Sequence, residues 1–144
     1  MSYTWMQTVS GIIFEPLMPR LEDIHIEDIA HALGMICRFG GHSKEFYSVA
    51  EHSIHVSRFC DPEDAMAGLL HDAAEAYVGD MIRPIKHMPE MAHYRDAEDW
   101  IVQLVMARAG LGELVVELPA SVKHADNAVL AAERDNPHIM GGAK

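Results

Sequence analysis

Residues 68–77 read Gly68-Leu69-Leu70-His71-Asp72-Ala73-Ala74-Glu75-Ala76-Tyr77. The fold class follows from this stretch: its residues are mostly good helix formers and its apolar positions recur at helical spacing, so we expect a helix with one buried face. His71 and Asp72 lie at the margin of that face. A carboxylate against apolar neighbours is costly unless it is neutralised, and a divalent cation bound by imidazole nitrogen and carboxylate oxygen would neutralise it.

Two other segments carry residue types that would complete a metal site. Ser48, followed three residues later by Glu51, has the pattern of a helix capping box and places His52 in the first turns of a helix. His55, one turn further on, is the local competitor of His52. Asp126 has apolar residues at positions i−4, i+3 and i+4, so it points into an apolar stripe and needs the same compensation. The sequence therefore predicts one metal centre formed by His52, His71, Asp72 and Asp126.

Length and composition indicate a single globular domain over residues 1–144. Hydrophobic residues make up 49% and charged residues 23% of the 144 residues, which is ordinary for such a domain. The net charge of −11 argues against a nucleic-acid polymer as partner, although a mononucleotide needs only a few local cations. Two cysteines, no long apolar run and no signal-peptide pattern predict a cytoplasmic chain with no membrane association.

Turn and cap signals divide the chain into a short N-terminal arm and a series of helices. Residues 1–20 carry apolar residues around Ser10-Gly11 and then two prolines, which favours a short hairpin or an extended arm. Residues 136–144 are expected to fray. We predict an all-α fold with helices over residues 26–33, from 48, over 61–79, in a long segment closing at Gly110, and over 119–134.

The extended pattern resembles the HD-domain phosphohydrolases, and more closely their bacterial and phage branch that acts on deoxynucleotides. A bare His-Asp dipeptide often arises by chance, whereas a set of motifs in this order is specific. The resemblance spans roughly residues 23–135. The matching runs are Cys37-Arg38-Phe39-Gly40-Gly41-His42, Phe46-Tyr47-Ser48-Val49-Ala50-Glu51-His52-Ser53, Leu69-Leu70-His71-Asp72-Ala73-Ala74-Glu75-Ala76, Gly79-Asp80 with Pro84 and Lys86, and Val122-Lys123 with Ala125-Asp126.

The resemblance implies an HD-domain helical bundle and a catalytic role for its metal. One divalent ion (Zn, Mn, Co, Fe or Mg) would lower the pKa of a coordinated water, so that metal-bound water attacks a phosphate ester or anhydride near neutral pH. Glu75 and Asp80 match residues that have acid/base and water-positioning roles in the family. Helix geometry supports Glu75 independently, because it lies one turn after His71 on the same side.

Four further residues are predicted to bind the substrate. Arg38 matches an arginine at the substrate pocket of the related deoxynucleotidases, and its planar guanidinium suits a phosphate group. Phe39, where relatives often have tryptophan, would stack on a base or sugar. Lys86 matches the lysine that follows the Gly-Asp motif, and Lys123 lies one turn before Asp126. A solvated surface cation is the alternative interpretation of Arg38 and the two lysines.

The sequence leaves more than one function open. A 5′-nucleotidase and a triphosphohydrolase fit the same motifs. A phosphodiesterase of cyclic or linear dinucleotides would bind two metal ions, but the extra histidines it requires are not in matching motifs. A non-catalytic nucleotide-binding regulatory module would need neither Glu75 nor Asp80. We also expect a homo-oligomer, because relatives oligomerise. The chain is shorter than most of them, so either a neighbouring subunit completes the pocket or the pocket is more open.

Overall fold

The computed structural model describes residues 4–112 and 117–143, and helices dominate this part of the chain. The α-helices are α1 (Ile26–Met35), α2 (Val49–Phe59), α3 (Ala65–Leu70), α4 (Glu75–Val78), α5 (Arg83–Lys86), α6 (Ala92–Arg108) and α7 (Ala120–Asp135). Single 3-10 turns lie at Leu21–Asp23, Phe39–Gly41, Pro62–Asp64 and Pro89–Met91. The mostly helical, all-α class is confirmed. No helix within the described ranges combines the length and hydropathy needed to cross a bilayer.

The N-terminal arm is a hairpin, the first of the two alternatives that the sequence left open. Strand β1 (Met6–Gln7) pairs antiparallel with β2 (Ile13–Phe14), and Met6 lies opposite Phe14. Phe14 is fully buried and stacks on Tyr77 with ring centroids 3.9 Å apart. The arm is thereby attached to the end of the segment that carries His71 and Asp72.

The capping signal before α2 is confirmed. The Ser48 hydroxyl accepts a hydrogen bond from the amide of Glu51 at 3.0 Å, which satisfies one of the free donors at the helix N-terminus. Val49, His52 and Val56 are all fully buried, so the face of α2 that carries His52 lies in the interior. The helix therefore presents an imidazole to the core, where it requires polar partners.

The predicted helix over residues 61–79 is interrupted in the structure. A 3-10 turn leads into α3, residues 71–74 form turns, and α4 follows, while the side chain of Asp61 makes no capping bond. Amides in this stretch bond three residues back, as from Glu75 to Asp72 at 3.0 Å. The His71 ring donates to the Gly68 carbonyl at 2.7 Å, and an unbroken helix would offer that carbonyl to the amide of Asp72. The side chain thus competes with the helical hydrogen bond.

The core places the segments that carry His52, His71 and Asp126 beside one another. The larger apolar cluster joins the hairpin, α1, α4 and α6. A smaller one, Val56, Cys60, Val122, Ala125 and Val129, lies between α2 and α7. Since α2 packs against both α3 and α7, residues widely separated in sequence meet along one side of α2.

Residues 136–143 make specific contacts, unlike the frayed end that the sequence predicts. The amide of Lys44 donates to the carbonyl of Ile139 at 2.8 Å, and the Lys44 ammonium donates to the carbonyl of Pro137 at 2.9 Å. His138 Nδ1 lies 3.1 Å from a carboxylate oxygen of Glu45. This segment is therefore attached to the loop that follows Arg38 and Phe39.

Candidate metal centre and adjoining cavities

Four side chains from α2, the turns after α3, and α7 converge on one point. His52 Nε2 lies 3.1 Å from Asp126 Oδ1 and 3.6 Å from Asp72 Oδ2. His71 Nε2 lies 3.2 Å from Asp72 Oδ2 and 3.9 Å from Asp126 Oδ1. The structure thus brings together the four residues that the sequence singles out. His55 instead lines a separate cavity of about 260 Å³ between α2 and α7.

The hydrogen bonds of the two imidazole rings indicate which nitrogen faces this point. His71 Nδ1 bonds to the Gly68 carbonyl at 2.7 Å, and His52 Nδ1 lies 2.6 Å from Glu133 Oε1. A carbonyl or carboxylate oxygen can only accept, so Nδ1 carries the proton in each ring and Nε2 of a neutral ring carries a lone pair. Within the described chain both Nε2 atoms are buried and lack a hydrogen-bond partner of good geometry.

The lone pair of a neutral imidazole nitrogen and a carboxylate oxygen repel each other unless a proton or a cation lies between the two atoms. One donor atom each from His52, His71 and Asp72 lies within 4.8 Å of the others, and Asp126 Oδ1 lies 3.1 Å from His52 Nε2 and 3.9 Å from His71 Nε2. Mixed imidazole and carboxylate donors are those that zinc and related divalent ions accept in proteins. The residues therefore fit a divalent metal ion.

Charge coupling among these four groups is strong. Burial lowers the pKa of His52, but the nearby carboxylates of Asp126 and Glu133 outweigh that effect, and the net pKa is raised. Burial likewise raises the pKa of Asp72, yet the charge and hydrogen bond of His71 hold it well below the usual range. Without a cation the site therefore favours imidazolium beside carboxylate, the state that a bound metal ion would replace.

Glu75 has a different environment. It is buried, and its Oε2 lacks a hydrogen-bond partner in the described part of the chain. Burial, reinforced by the charges of Asp72 and Asp80, raises the pKa of Glu75 to about 10. The pKa of Asp80 is also raised by burial, although the charge of Arg38 opposes the shift. A carboxyl group that carries a proton near neutral pH thus lies beside the four-residue cluster.

A cavity of about 430 Å³ opens beside this cluster, and we call it the arginine cavity. It contains Arg38, Phe39, Asp80 and Lys86 from the predicted set, together with Asp72, Glu75 and Asp126; its other lining residues are Met81, Ile82, Arg83, Pro84, Leu130 and Arg134. Lys123 is exposed and lies away from this group. It lines a neighbouring cavity of about 480 Å³ that shares Asp72, Glu75 and Lys86 with the first.

The predicted substrate residues have partners of their own. The guanidinium of Arg38 lies over the ring of Phe39, 5.1 Å from its centroid, and 3.9 Å from Asp72 Oδ2. Phe39 has a φ of +58°, a strained conformation for a bulky residue. Lys86 pairs with the buried Glu98 at 2.7 Å. Arg38 and Phe39 are thus held at the cavity wall, whereas Lys86 already has an acidic partner.

Sequence reasoning missed Glu133, a buried carboxylate that contacts three of the residues around the site. It accepts hydrogen bonds from Arg38, Tyr47 and His52. A signal was available, because Glu133 continues the helical spacing of Val122, Ala125 and Val129 and so lies on the buried stripe of α7. An acidic residue on such a stripe is as informative as Asp126, which lies about two turns earlier on the same helix.

Comparison with known proteins identifies two relatives that match almost the whole chain. The uncharacterized protein YfdR of Escherichia coli (strain K12) is 37% identical over 140 residues, covering 97% of this chain and 76% of YfdR. The uncharacterized protein RCAP_rcc00048 of Rhodobacter capsulatus is 36% identical over 152 residues, covering 98% of this chain and 76% of that protein. No protein-family model matches. With this identity over most of both sequences, the chain belongs to the family of YfdR and RCAP_rcc00048.

Proposed function

We propose that this chain is an HD-domain, metal-dependent phosphohydrolase of small nucleotides, with deoxynucleotides as the preferred class. One observation carries the proposal: two imidazole Nε2 atoms and two carboxylates converge while both Nδ1 atoms are already hydrogen-bonded. This is how metal-binding histidines are oriented in proteins, with the second ring nitrogen bound to an acceptor. Three separate segments of the chain supply these groups, so their proximity does not follow from the residue spacing within any single helix.

His52, His71, Asp72 and Asp126 would hold the ion. When bound, a divalent ion supplies positive charge that polarises a phosphate group and lowers the pKa of a coordinated water. The chain itself determines where that charge lies. The position is where two cavities adjoin, and substrate and water would reach the ion through these cavities.

The surrounding residues have roles that follow from their contacts. Arg38 binds a phosphate oxygen through its guanidinium at the wall of the arginine cavity. Glu75 gives or takes a proton at Oε2, the oxygen with no protein partner among the described residues. Asp80, which lines the same cavity, orients a water molecule. Proton transfer by a group placed in this way contributes about 10²–10⁴-fold to a rate.

The arginine cavity suits a nucleotide better than its neighbour does. It is lined by Arg38, Arg83, Lys86 and Arg134, and Phe39 provides an aromatic surface for a base or sugar. Among the described residues, its four Lys and Arg residues face four acidic ones, all of them in the proposed metal and acid/base set, whereas the neighbouring cavity has three Lys and Arg residues against six acidic ones. A phosphate-bearing ligand is therefore expected in the arginine cavity, and Lys123 is not expected to contact its phosphate.

The test is turnover of deoxynucleoside mono- and triphosphates with Mn²⁺, Co²⁺, Zn²⁺ or Mg²⁺, with each product identified. We expect metal-dependent release of phosphate, pyrophosphate or triphosphate, which also separates a nucleotidase from a triphosphohydrolase. His71→Ala and Asp72→Ala are expected to abolish both metal binding and turnover. His93→Ala is the matched control, because the His93 side chain is 98% exposed and lies outside the site.

Two results would contradict the proposal. Turnover that is equal in His71→Ala and His93→Ala would mean that the reaction does not depend on the cluster. A demonstrably metal-loaded protein that turns over no nucleotide would remove the nucleotidase function. Cyclic and linear dinucleotides, with metal counted per chain, would then test the phosphodiesterase, and binding without turnover would indicate a regulatory module.

A further inference from the structure

Glu133 divides its two carboxylate oxygens between the two halves of the site. Oε1 accepts from His52 Nδ1 at 2.6 Å and from the Tyr47 hydroxyl at 2.8 Å. Oε2 accepts from Arg38 Nη2 at 2.9 Å. One oxygen thus faces a metal-ligating histidine and the other faces the arginine at the substrate cavity.

The burial of Glu133 makes this arrangement costly unless every partner is present. Its exposure is 3%, and burying an ionised carboxylate is unfavourable without charge-assisted hydrogen bonds. The bonds to His52, Arg38 and Tyr47 hold the pKa of Glu133 below its ordinary value against the effect of burial. His52 lies in α2 and Arg38 lies in the loop before it. The carboxylate of Glu133 therefore connects both of these segments to α7.

We propose that Glu133 is a positioning residue that sets the geometry of both metal binding and substrate binding. Through Oε1 it keeps the proton of His52 on Nδ1 and turns Nε2 toward His71, Asp72 and Asp126. Through Oε2 it holds the guanidinium of Arg38 at the wall of the arginine cavity. The inference rests on the proposed function, because it assigns Glu133 a role in that same site.

The two oxygens allow the two roles to be separated. In Glu133→Gln the amide oxygen can still accept from His52 and Tyr47, but the amide nitrogen cannot accept from Arg38. In Glu133→Ala both interactions are lost. We therefore expect Glu133→Gln to act mainly on substrate binding, and Glu133→Ala to act on metal and substrate together.

The experiment measures Co²⁺ and Zn²⁺ affinity by calorimetry, together with kcat and KM for the best nucleotide of the panel. Loss of a residue that orients a metal ligand typically weakens metal binding by about 10- to 100-fold, and we expect this of Glu133→Ala. For Glu133→Gln we expect metal affinity within about fivefold of the wild type and KM raised about tenfold or more, since a hydrogen bond to a charged group contributes about 1.5–3 kcal/mol.

Two controls separate positioning from general effects. Asp135→Asn removes the same charge two residues along α7 from an exposed position, and it should change neither quantity. Tyr47→Phe removes one of the two donors to Glu133 Oε1 while His52 keeps its bond to that oxygen, so its loss of metal affinity should be smaller than that of Glu133→Ala. Equal metal affinity and equal KM in Glu133→Gln, Glu133→Ala and Asp135→Asn would overturn the proposal, as would a loss in Tyr47→Phe as large as in Glu133→Ala.

A measurement on the unsubstituted protein guards against variants that do not fold. Ring ¹⁵N shifts of the zinc-loaded protein report which nitrogen of His52 carries the proton, and we expect Nδ1. Coordination of zinc through Nδ1 would overturn the proposal. If the protein binds zinc with the expected tautomer but turns over no nucleotide, the nucleotidase proposal fails while the Glu133–His52 part stands. If both variants match the control in an active enzyme, only the Glu133 proposal fails.

Discussion

Hydrogen-bond partners distinguish His52 and His71 from an exposed histidine in this chain of ten histidines. His71 and His52 each have Nδ1 bonded to an oxygen and Nε2 aimed at carboxylates. His93 is almost fully exposed, and its nearest charged partner, Asp96, lies 3.9 Å away. Residue type alone is the same in all three cases. The partner atoms give two of these rings the orientation that a metal requires.

Glu75 is expected to make the stability of the metal-free protein depend on pH. Its pKa is about 10 in the folded chain and 4.5 in the reference state, so folding takes up a proton between those values. The contribution of this group is fully present below the lower pKa and is lost as pH rises through the window, by up to about 1.4 kcal/mol per pH unit. Glu75→Gln has no such proton to lose.

Thermal unfolding in the presence of a chelator, followed from about pH 5 to pH 9, tests this expectation. We expect Tm of Glu75→Gln to fall less across that range than Tm of the unsubstituted protein. In a separate assay with metal present, we expect kcat of Glu75→Gln to be about 10²–10⁴-fold below that of the unsubstituted protein. Glu90→Gln, at an exposed position, is the matched control. Parallel Tm curves for Glu75→Gln and the unsubstituted protein would show that Glu75 ionises normally in the fold.

At the scale of elements, the approach of α3 to α2 sets the distance between His71 and His52. Gly68 of α3 lies where a Cβ atom would come within 2.8 Å of Cys60 Sγ and 3.2 Å of Ser57 Cα. The same glycine offers its carbonyl to His71 Nδ1. Gly68 therefore governs both the packing of two helices and the orientation of the His71 ring, so a change in the packing disturbs the orientation.

Gly68→Ala is expected to destabilise the protein and to weaken metal binding. Inserting a methyl group into a packed contact typically costs about 1–3 kcal/mol. Gly34→Ala in α1 is the contrasting variant, because a Cβ there meets nothing within 4 Å; we expect it to add about 0.5–1 kcal/mol to the free energy of unfolding. Denaturant unfolding and calorimetric metal titration measure both effects. An equal response of the two variants would contradict close packing at Gly68.

At the scale of the whole molecule, the segment after α7 contacts the loop at the arginine cavity. Lys44, five residues after Phe39, donates two hydrogen bonds to this segment, one from its amide to the carbonyl of Ile139 and one from its ammonium to the carbonyl of Pro137. Glu133, in the helix that leads into this segment, holds Arg38. Both ends of the loop before α2 are thus attached to the same C-terminal part of the chain.

Deletion of residues 137–144 is expected to raise KM while leaving metal affinity nearly unchanged. The loop would lose the hydrogen bonds that Lys44 makes to Pro137 and Ile139. The side chains of His52, His71, Asp72 and Asp126 would keep their contacts with one another. Immobilising a flexible side chain costs about 0.5–1.5 kcal/mol, so a freed Arg38 loop corresponds to roughly a 2- to 10-fold rise in KM. Deletion of residues 142–144 keeps both contacts and serves as control. Loss of metal affinity equal to the loss in KM would show that the segment stabilises the whole fold instead.

Short-range signals account for most of what could be predicted. The capping serine before α2, the helical period of residues 68–77 and the apolar neighbours of Asp126 each act within one or two turns. They identified the helical class, the existence of the elements and the four side chains that converge. The turns at residues 71–74 were not predicted, because an alanine-rich sequence fits a continuous helix. The competing bond from His71 to the Gly68 carbonyl is local, but the sequence does not show which way the His71 ring points.

Long-range packing determined which helix faces contact one another, and therefore which side chains meet at the site. The contact of α2 with both α3 and α7 brings together residues that lie 19 to 74 positions apart in the chain, and no local pattern carries that distance. The separation of Lys123 from Arg38, and the burial of Glu133 against His52, follow from the same packing. Amino-acid order thus specified the chemistry available on each helix, while the free energy of burying the helix faces specified which of those groups face one another.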